Sequence, residues 1–242
     1  MTASLSSEFG YICDNVQRIE EQIQNACIAA GRRREEVTLM AVTKTVSPER
    51  INAALACGIH CIGENRVQEF LEKREALHLE GVQAHLIGHL QTNKVKRIVG
   101  QVDMIQSIDS ERLAQAVSDA ALKTPQGCVD VLVEVNIGEE ASKSGVPAEE
   151  LQDLLEKISA FEGIRVRGLM AIPPILSSES EKRAIFSQMR KLFIDIRGKN
   201  VDNITMEILS MGMSMDYVEA IREGSTLVRI GSAIFGKREY TK

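Results

Sequence analysis

The sequence predicts a single (β/α)₈ barrel preceded by one extra helix, and three observations predict it. Eight short, largely apolar runs alternate with amphipathic stretches along 242 residues, the pattern of parallel strands joined by crossover helices. Chains of about 250 residues commonly close into one such barrel. No Gly-x-Gly-x-x-Gly turn follows the first run, which removes the main signature of an open, doubly wound sheet.

Taken in order, Val16, Ile19, Ile23, Ala26, Cys27 and Ala30 recur at helical spacing, which predicts a helix from Tyr11 to Ala30 stopped by Gly31. Thr38 to Thr43 is a nearly continuous apolar run, as expected of a strand buried on both faces. Ser47-Pro48 then starts a helix, with proline at the first position where its missing N–H costs nothing, and Cys57-Gly58 ends it. Further strands are expected at Cys61–Glu64, His85–Leu90, Met104–Ile108, Asp130–Ile137, Arg165–Ile172, Met206–Met211 and Leu227–Ile234. Helical faces fall between them: Leu113, Ala116, Val117 and Ala120; Leu151, Leu154, Leu155 and Ile158; Ile185, Met189, Leu192 and Ile196. Ser177 to Ser180 is the most loop-like stretch and is expected to cap the helix after it. The expected organisation is a flexible N-terminus over 1–10 and one barrel over 11–242.

Composition narrows the function classes. The chain is 44% hydrophobic and 26% charged with a formal net charge of −5, which argues against general nucleic-acid binding, since that relies on clustered basic groups. Arg32-Arg33-Arg34 reads as a solvated cap after a helix end. No run reaches the roughly 18 apolar residues of a membrane span, and no basic start leads into an apolar run. Five scattered cysteines without a framework suit reduced thiols and a cytoplasmic setting. Cys57, His60 and Cys61 lack a matching second pair, so no metal is expected.

In a barrel the functional residues lie where strands end and loops begin. The first strand ends in Lys44, the second in Gly63-Glu64-Asn65, and the sixth in Met170-Ala171-Ile172-Pro173. The seventh runs into Ser210-Met211-Gly212-Met213-Ser214 and the eighth into Gly231-Ser232. Small residues there let backbone N–H groups and hydroxyls approach an anion, and these are the loops where barrels often hold phosphate. A lysine leaving an apolar strand either snorkels to the rim or, desolvated, attacks a carbonyl to form a Schiff base. Arg229, set between Val228 and Ile230, is expected to be buried and to need a partner. That partner is a carboxylate such as Glu64, Glu134 or Glu207, or the ring nitrogen of a cofactor. A permanently protonated arginine beside a pyridine nitrogen leaves the ring a poor electron sink.

Seven ordered motifs carry a resemblance that runs from about residue 11 to 238. They include Ala41-Val42-Thr43-Lys44, Gly63-Glu64-Asn65-Arg66-Val67-Gln68-Glu69 and His85-Leu86-Ile87-Gly88-His89. Ser142-Lys143-Ser144-Gly145, Leu209-Ser210-Met211-Gly212-Met213-Ser214 and Val228-Arg229-Ile230-Gly231-Ser232 belong with them. The chain resembles the pyridoxal phosphate homeostasis proteins, which are similar to the barrel domain of bacterial alanine racemase. The resemblance implies pyridoxal 5′-phosphate (PLP) held as an internal aldimine on Lys44, and its phosphate held by Ser210, Gly212, Gly231 and Ser232. It places Arg229 at the pyridine nitrogen and Asn65 and Met170 near the ring. It also implies a PLP buffer or carrier, with PLP-dependent apo-enzymes as recipients, no established turnover and a monomeric or weakly dimeric state. The competing reading is a PLP-dependent racemase-like enzyme. Racemisation needs two placed acid/base groups, and none of Tyr11, Tyr217 and Tyr240 falls at an expected strand end. Lys143, near the expected mouth, is a candidate for PLP exchange.

Overall fold

A computed structural model describes residues 9–138, 144–174 and 178–236. Among the described residues, eight strands form the barrel: β1 (Thr38–Val42), β2 (Cys61–Glu64), β3 (Gln83–Leu86), β4 (Met104–Ile108), β5 (Val129–Asn136), β6 (Ile164–Met170), β7 (Ile204–Met213) and β8 (Leu227–Ile230); a two-residue strand, Val146–Pro147, also pairs with β5. Every neighbouring pair is parallel, and β1 pairs with β8 through Ala41 opposite Ile230, so the sheet closes. The expected barrel is therefore the observed one.

Strand alternation explains the continuous apolar runs. Outward residues such as Ala41, Ile62, Ile105, Val131, Leu169 and Val228 join the main core under the helices. Inward residues form two small clusters, Met40, Val42, Cys61, Ile87 and Leu227 on one side and Met104, Leu132 and Met170 on the other. Ile208 touches both. Burial pushes the Cys61 thiol up to about 12, which leaves it inert. Gly168 is required by geometry: at φ +151° a Cβ would sit 1.8 Å from the carbonyl oxygen of Ile208.

Helix α1 (Gly10–Ala29) buries Ile12, Val16, Ile19, Ile23, Ala26 and Cys27. It lies against α2 (Pro48–Ala56), α8 (Tyr217–Arg222) and α9 (Ser232–Phe235). Gly10 thus belongs to the helix and not to the segment expected to be flexible, while residues 1–8 lie outside the described ones. Ser110 caps α5 (Glu111–Ala121) by accepting from Leu113 N, and Ser178 forms a capping box with Glu181 at the start of α7 (Glu179–Arg197).

Three expectations are corrected. The third strand spans Gln83–Leu86 because the chain turns irregular at Gly88, where a Cβ would lie 2.2 Å from the Asn65 carbonyl oxygen. The last strand stops at Ile230, since backbone hydrogen bonds from Ile234 and Phe235 to Gly231 O wind 232–235 into helix. The cysteines are not all reduced: Cys13 and Cys57 form a disulfide tying α1 to the end of α2, with a Cα separation of 5.3 Å. Sequence spacing could not show this pairing, because only the fold brings residues 44 apart together.

Candidate functional site

The apolar floor of the barrel is roofed by a buried polar layer. Alternation that points Leu227, Ile208 and Met104 inward also points Arg229, Ser210 and Gln106 inward, one step nearer the strand C-termini. Arg229 donates from Nη1 to Ser210 Oγ at 2.6 Å and from Nη2 to the Ala171 carbonyl at 2.8 Å. Ser210 in turn donates to Gln106 Oε1 at 2.7 Å. That leaves the Gln106 amide to donate to His85 Nδ1 at 2.9 Å, which fixes the neutral, Nε2-protonated tautomer of His85. Burial pushes His85 down to about 4, in keeping with a neutral ring.

Burial also lowers Arg229 to about 10, with Glu134 and Asp216 opposing the shift, so the guanidinium stays charged at neutral pH. Of the carboxylates expected to pair with it, Glu207 bonds Arg167 and Glu64 bonds Lys73. Glu134 is buried with its carboxyl pushed up by desolvation. One of its oxygens accepts from Ser144 Oγ at 3.0 Å, and the other has no hydrogen-bond partner among the described residues.

Lys44 stands just past β1, half-buried, in a turn closed by Val46 N–H donating to Thr43 O at 3.0 Å. Its neighbour Thr45 has φ +62°, a left-handed conformation uncommon for a β-branched residue. Behind this turn, the Thr43 hydroxyl donates to Glu64 Oε2 at 3.1 Å and Lys73 Nζ donates to Thr43 O at 3.0 Å. Lys73 also pairs with Glu64 and Glu69, and Glu69 accepts from Thr45 N–H. Burial pushes the Glu64 carboxyl up while the Lys73 charge pulls it back down. Glu64 Oε1 accepts from Asn65 N at 2.8 Å, which fixes the backbone where β2 ends, and the buried Asn65 Oδ1 has no hydrogen-bond partner among the described residues.

The ends of β7 and β8 converge beside Lys44, since β8 is the neighbour of β1 and Gly231 lies against Val42. Gly231 N–H and Ala233 N–H both point at Ser214 Oγ, at 3.3 and 3.4 Å. Gly212 makes the turn that allows this: its φ is +93°, and a Cβ would lie 2.6 Å from that of Ala220. Asp216 pins the loop by accepting from Met213 N at 2.6 Å.

The structure thus brings Lys44, Asn65, Arg229, Gly212, Gly231 and Ser232 to one end of the barrel. Met170 packs with Met104 and Leu132 inside the barrel and lies opposite Ser210 in register. The Ser210 hydroxyl bonds Arg229 and Gln106 in this structure. Lys143 lies outside the described residues. Ser214 belongs to the Ser210–Ser214 stretch that the sequence singled out for an anion, whereas Gln106, His85 and Lys73 were not singled out as neighbours of the site.

The family model of the alanine racemase N-terminal domain matches residues 15–239. A pyridoxal phosphate homeostasis protein of Aquifex aeolicus is 43% identical over 94% of this chain and 99% of its own. The protein of that name from Escherichia coli K12 is 37% identical over 96% and 98%. Among solved structures, PipY of Synechococcus elongatus, determined with PLP bound, superposes with a TM-score of 0.81 at 30% identity, covering 93% of this chain and all 100% of PipY. An alanine racemase of Corynebacterium glutamicum shares the fold at 15% identity, with a TM-score of 0.72 and only 62% of its length covered. The chain belongs to the family of the pyridoxal phosphate homeostasis proteins, built on the alanine racemase N-terminal barrel.

Proposed function

We propose that this chain binds pyridoxal 5′-phosphate through an imine to Lys44 and serves as a carrier or buffer of the cofactor. The observation that carries the reading is the grouping of an amine, an anion nest and a buried guanidinium at one barrel mouth. Each matches one part of the cofactor: Lys44 the aldehyde, the N–H groups of Gly231 and Ala233 the phosphate, Arg229 the pyridine nitrogen. The unpartnered Asn65 Oδ1 fits as well, since it is an acceptor awaiting a donor. Ser214, whose hydroxyl lies against both N–H groups, adds a further polar group to the nest beside Gly212, Gly231, Ser232 and the Ser210 that the sequence suggested. When bound, the cofactor supplies an electrophilic aldehyde; the amine adds to it and water leaves.

Two features of the described residues support holding rather than turnover, and Tyr240 lies outside those residues. Arg229 only donates, so a ring nitrogen facing it remains an unprotonated acceptor and draws little electron density from the imine. Racemisation further requires a second acid/base opposite the lysine. Tyr11 accepts from Arg50 on the outside of the barrel, and the Tyr217 hydroxyl donates to Gln22 of α1. Recipient apo-enzymes take the cofactor by the reverse reaction, in which water or another amine displaces Lys44. Exchange assisted by Lys143 belongs to the same reading.

The test is the absorption spectrum of purified protein with added PLP, followed by borohydride reduction and peptide mapping. The expected result is an imine band and a reduced adduct on Lys44, both lost in Lys44→Ala. Failure to load, or an adduct on another lysine, overturns the proposal. Incubation with single amino-acid enantiomers is expected to leave optical rotation unchanged; rapid loss favours the enzyme reading.

A further inference from the structure

The Lys73–Glu64–Glu69 cluster lies behind the wall of the site, where it can touch no cofactor, yet it holds the backbone on both sides of Lys44. Glu64 is on the outward face of β2, next to inward Gly63, while Glu69 and Lys73 share one face of α3 (Val67–Lys73) four residues apart. The lysine ammonium donates to Thr43 O, before Lys44, and to both carboxylates. Glu69 accepts from Thr45 N–H, after Lys44, and Glu64 accepts from the Thr43 hydroxyl and from Asn65 N. Thr45 is the centre of the strain: its position in the turn demands a positive φ, normally supplied by glycine. One buried and two partly buried ionisable groups behind a turn are an expensive way to build a barrel wall, since an apolar packing would serve stability as well. Their contacts explain the arrangement, because four of them converge on residues 43, 45 and 65.

We propose that Lys73, with Glu64 and Glu69, is a positioning device that locks the Thr43–Val46 turn and so presents the Lys44 amine for capture of the cofactor aldehyde. The inference rests on the function proposed above. Lys44 makes the bond; Lys73 acts only through the turn.

The test is stopped-flow loading of the full-length protein with pyridoxal 5′-phosphate, read as growth of the imine band, with thermal unfolding in parallel. Lys73→Met is expected to slow capture about tenfold or more, as misplacement of a reacting group does, and Lys73→Arg to restore most of it. Lys73→Met leaves Glu64 buried without its cation, so Glu69→Ala is run beside it as a milder removal of the Thr45 clamp, with slower capture again expected. Adding Thr45→Gly to either variant is expected to recover much of the rate, because glycine adopts the positive φ unaided. A merely structural role would lower stability without that rescue. Wild-type capture rates in the folded variants, or slow rates that Thr45→Gly does not improve, overturn the inference while leaving Lys44 as the anchor. A wild-type protein that does not load refutes the functional reading instead.

Discussion

Ser210 and Ser214 close the two ends of one short motif, and the structure gives them different work. Truncating Ser210 to alanine removes an acceptor from the buried Arg229 and a donor to Gln106, at 2.6 and 2.7 Å. The first is a charge-assisted bond worth about 1.5–3 kcal/mol and the second an ordinary one of about 1 kcal/mol. Both partners are left without exposure to water, so Ser210→Ala should cost about 3 kcal/mol of stability. For a domain of this size that is roughly 10 °C in Tm. Ser214→Ala removes only two long contacts from a half-exposed hydroxyl and should cost less than about 1 kcal/mol. Cofactor binding should divide the other way: losing one hydroxyl from a phosphate nest weakens Kd about tenfold. Urea unfolding of both variants without cofactor, and absorbance titration with PLP, measure the two effects. Wild-type stability in Ser210→Ala, together with wild-type affinity in Ser214→Ala, would refute the assignment of the two serines.

Three further outcomes follow from the same geometry. His85 is neutral and buried with its value lowered from 6.5 to about 4, so the unfolded chain takes up a proton first as pH falls. Stability should then drop by about 3 kcal/mol between those two values, and His85→Gln should flatten that limb of a pH-dependent urea titration. Glu134 behaves oppositely: its raised value means the folded state keeps its proton longer, so stability is lost as pH rises above the ordinary 4.5. Glu134→Gln should therefore raise the urea midpoint at neutral pH while leaving it little changed in acid. The Cys13–Cys57 bond closes a loop with a sequence separation of 44, worth up to about 4 kcal/mol in restricted unfolded-chain entropy. Reductant, or Cys13→Ser, should lower stability toward that figure, and an unchanged midpoint would show the two thiols to be unpaired in solution.

The barrel was legible because strands buried on both faces leave little room for polar residues, and the exceptions marked the site. Lys44, Asn65 and Arg229 interrupt or end apolar runs for that reason. Where the backbone departs from regular alternation, inference from sequence failed. Gly212 takes a positive φ within a strand whose register slips between Ser210 and Met213, so counting residues along it does not give the direction of each side chain. Gly88, just past the end of β3, lies against Asn65, a residue just past the end of another strand. The Lys73 cluster was hidden because only its Glu69–Lys73 pair has helical spacing. Its link to Glu64 exists only once α3 folds back on β2.

Asn15 of α1 donates its amide to the carbonyl of Ile234, across 219 residues of sequence. The donors of the nest therefore rest on a helix from the far end of the chain, and β1 finds its second neighbour only in β8. During synthesis Lys44 leaves the ribosome long before Gly231 and Ala233 exist. On the proposed reading, a nascent chain therefore has the amine but not the phosphate nest, and the two come together only when the ring of strands is complete.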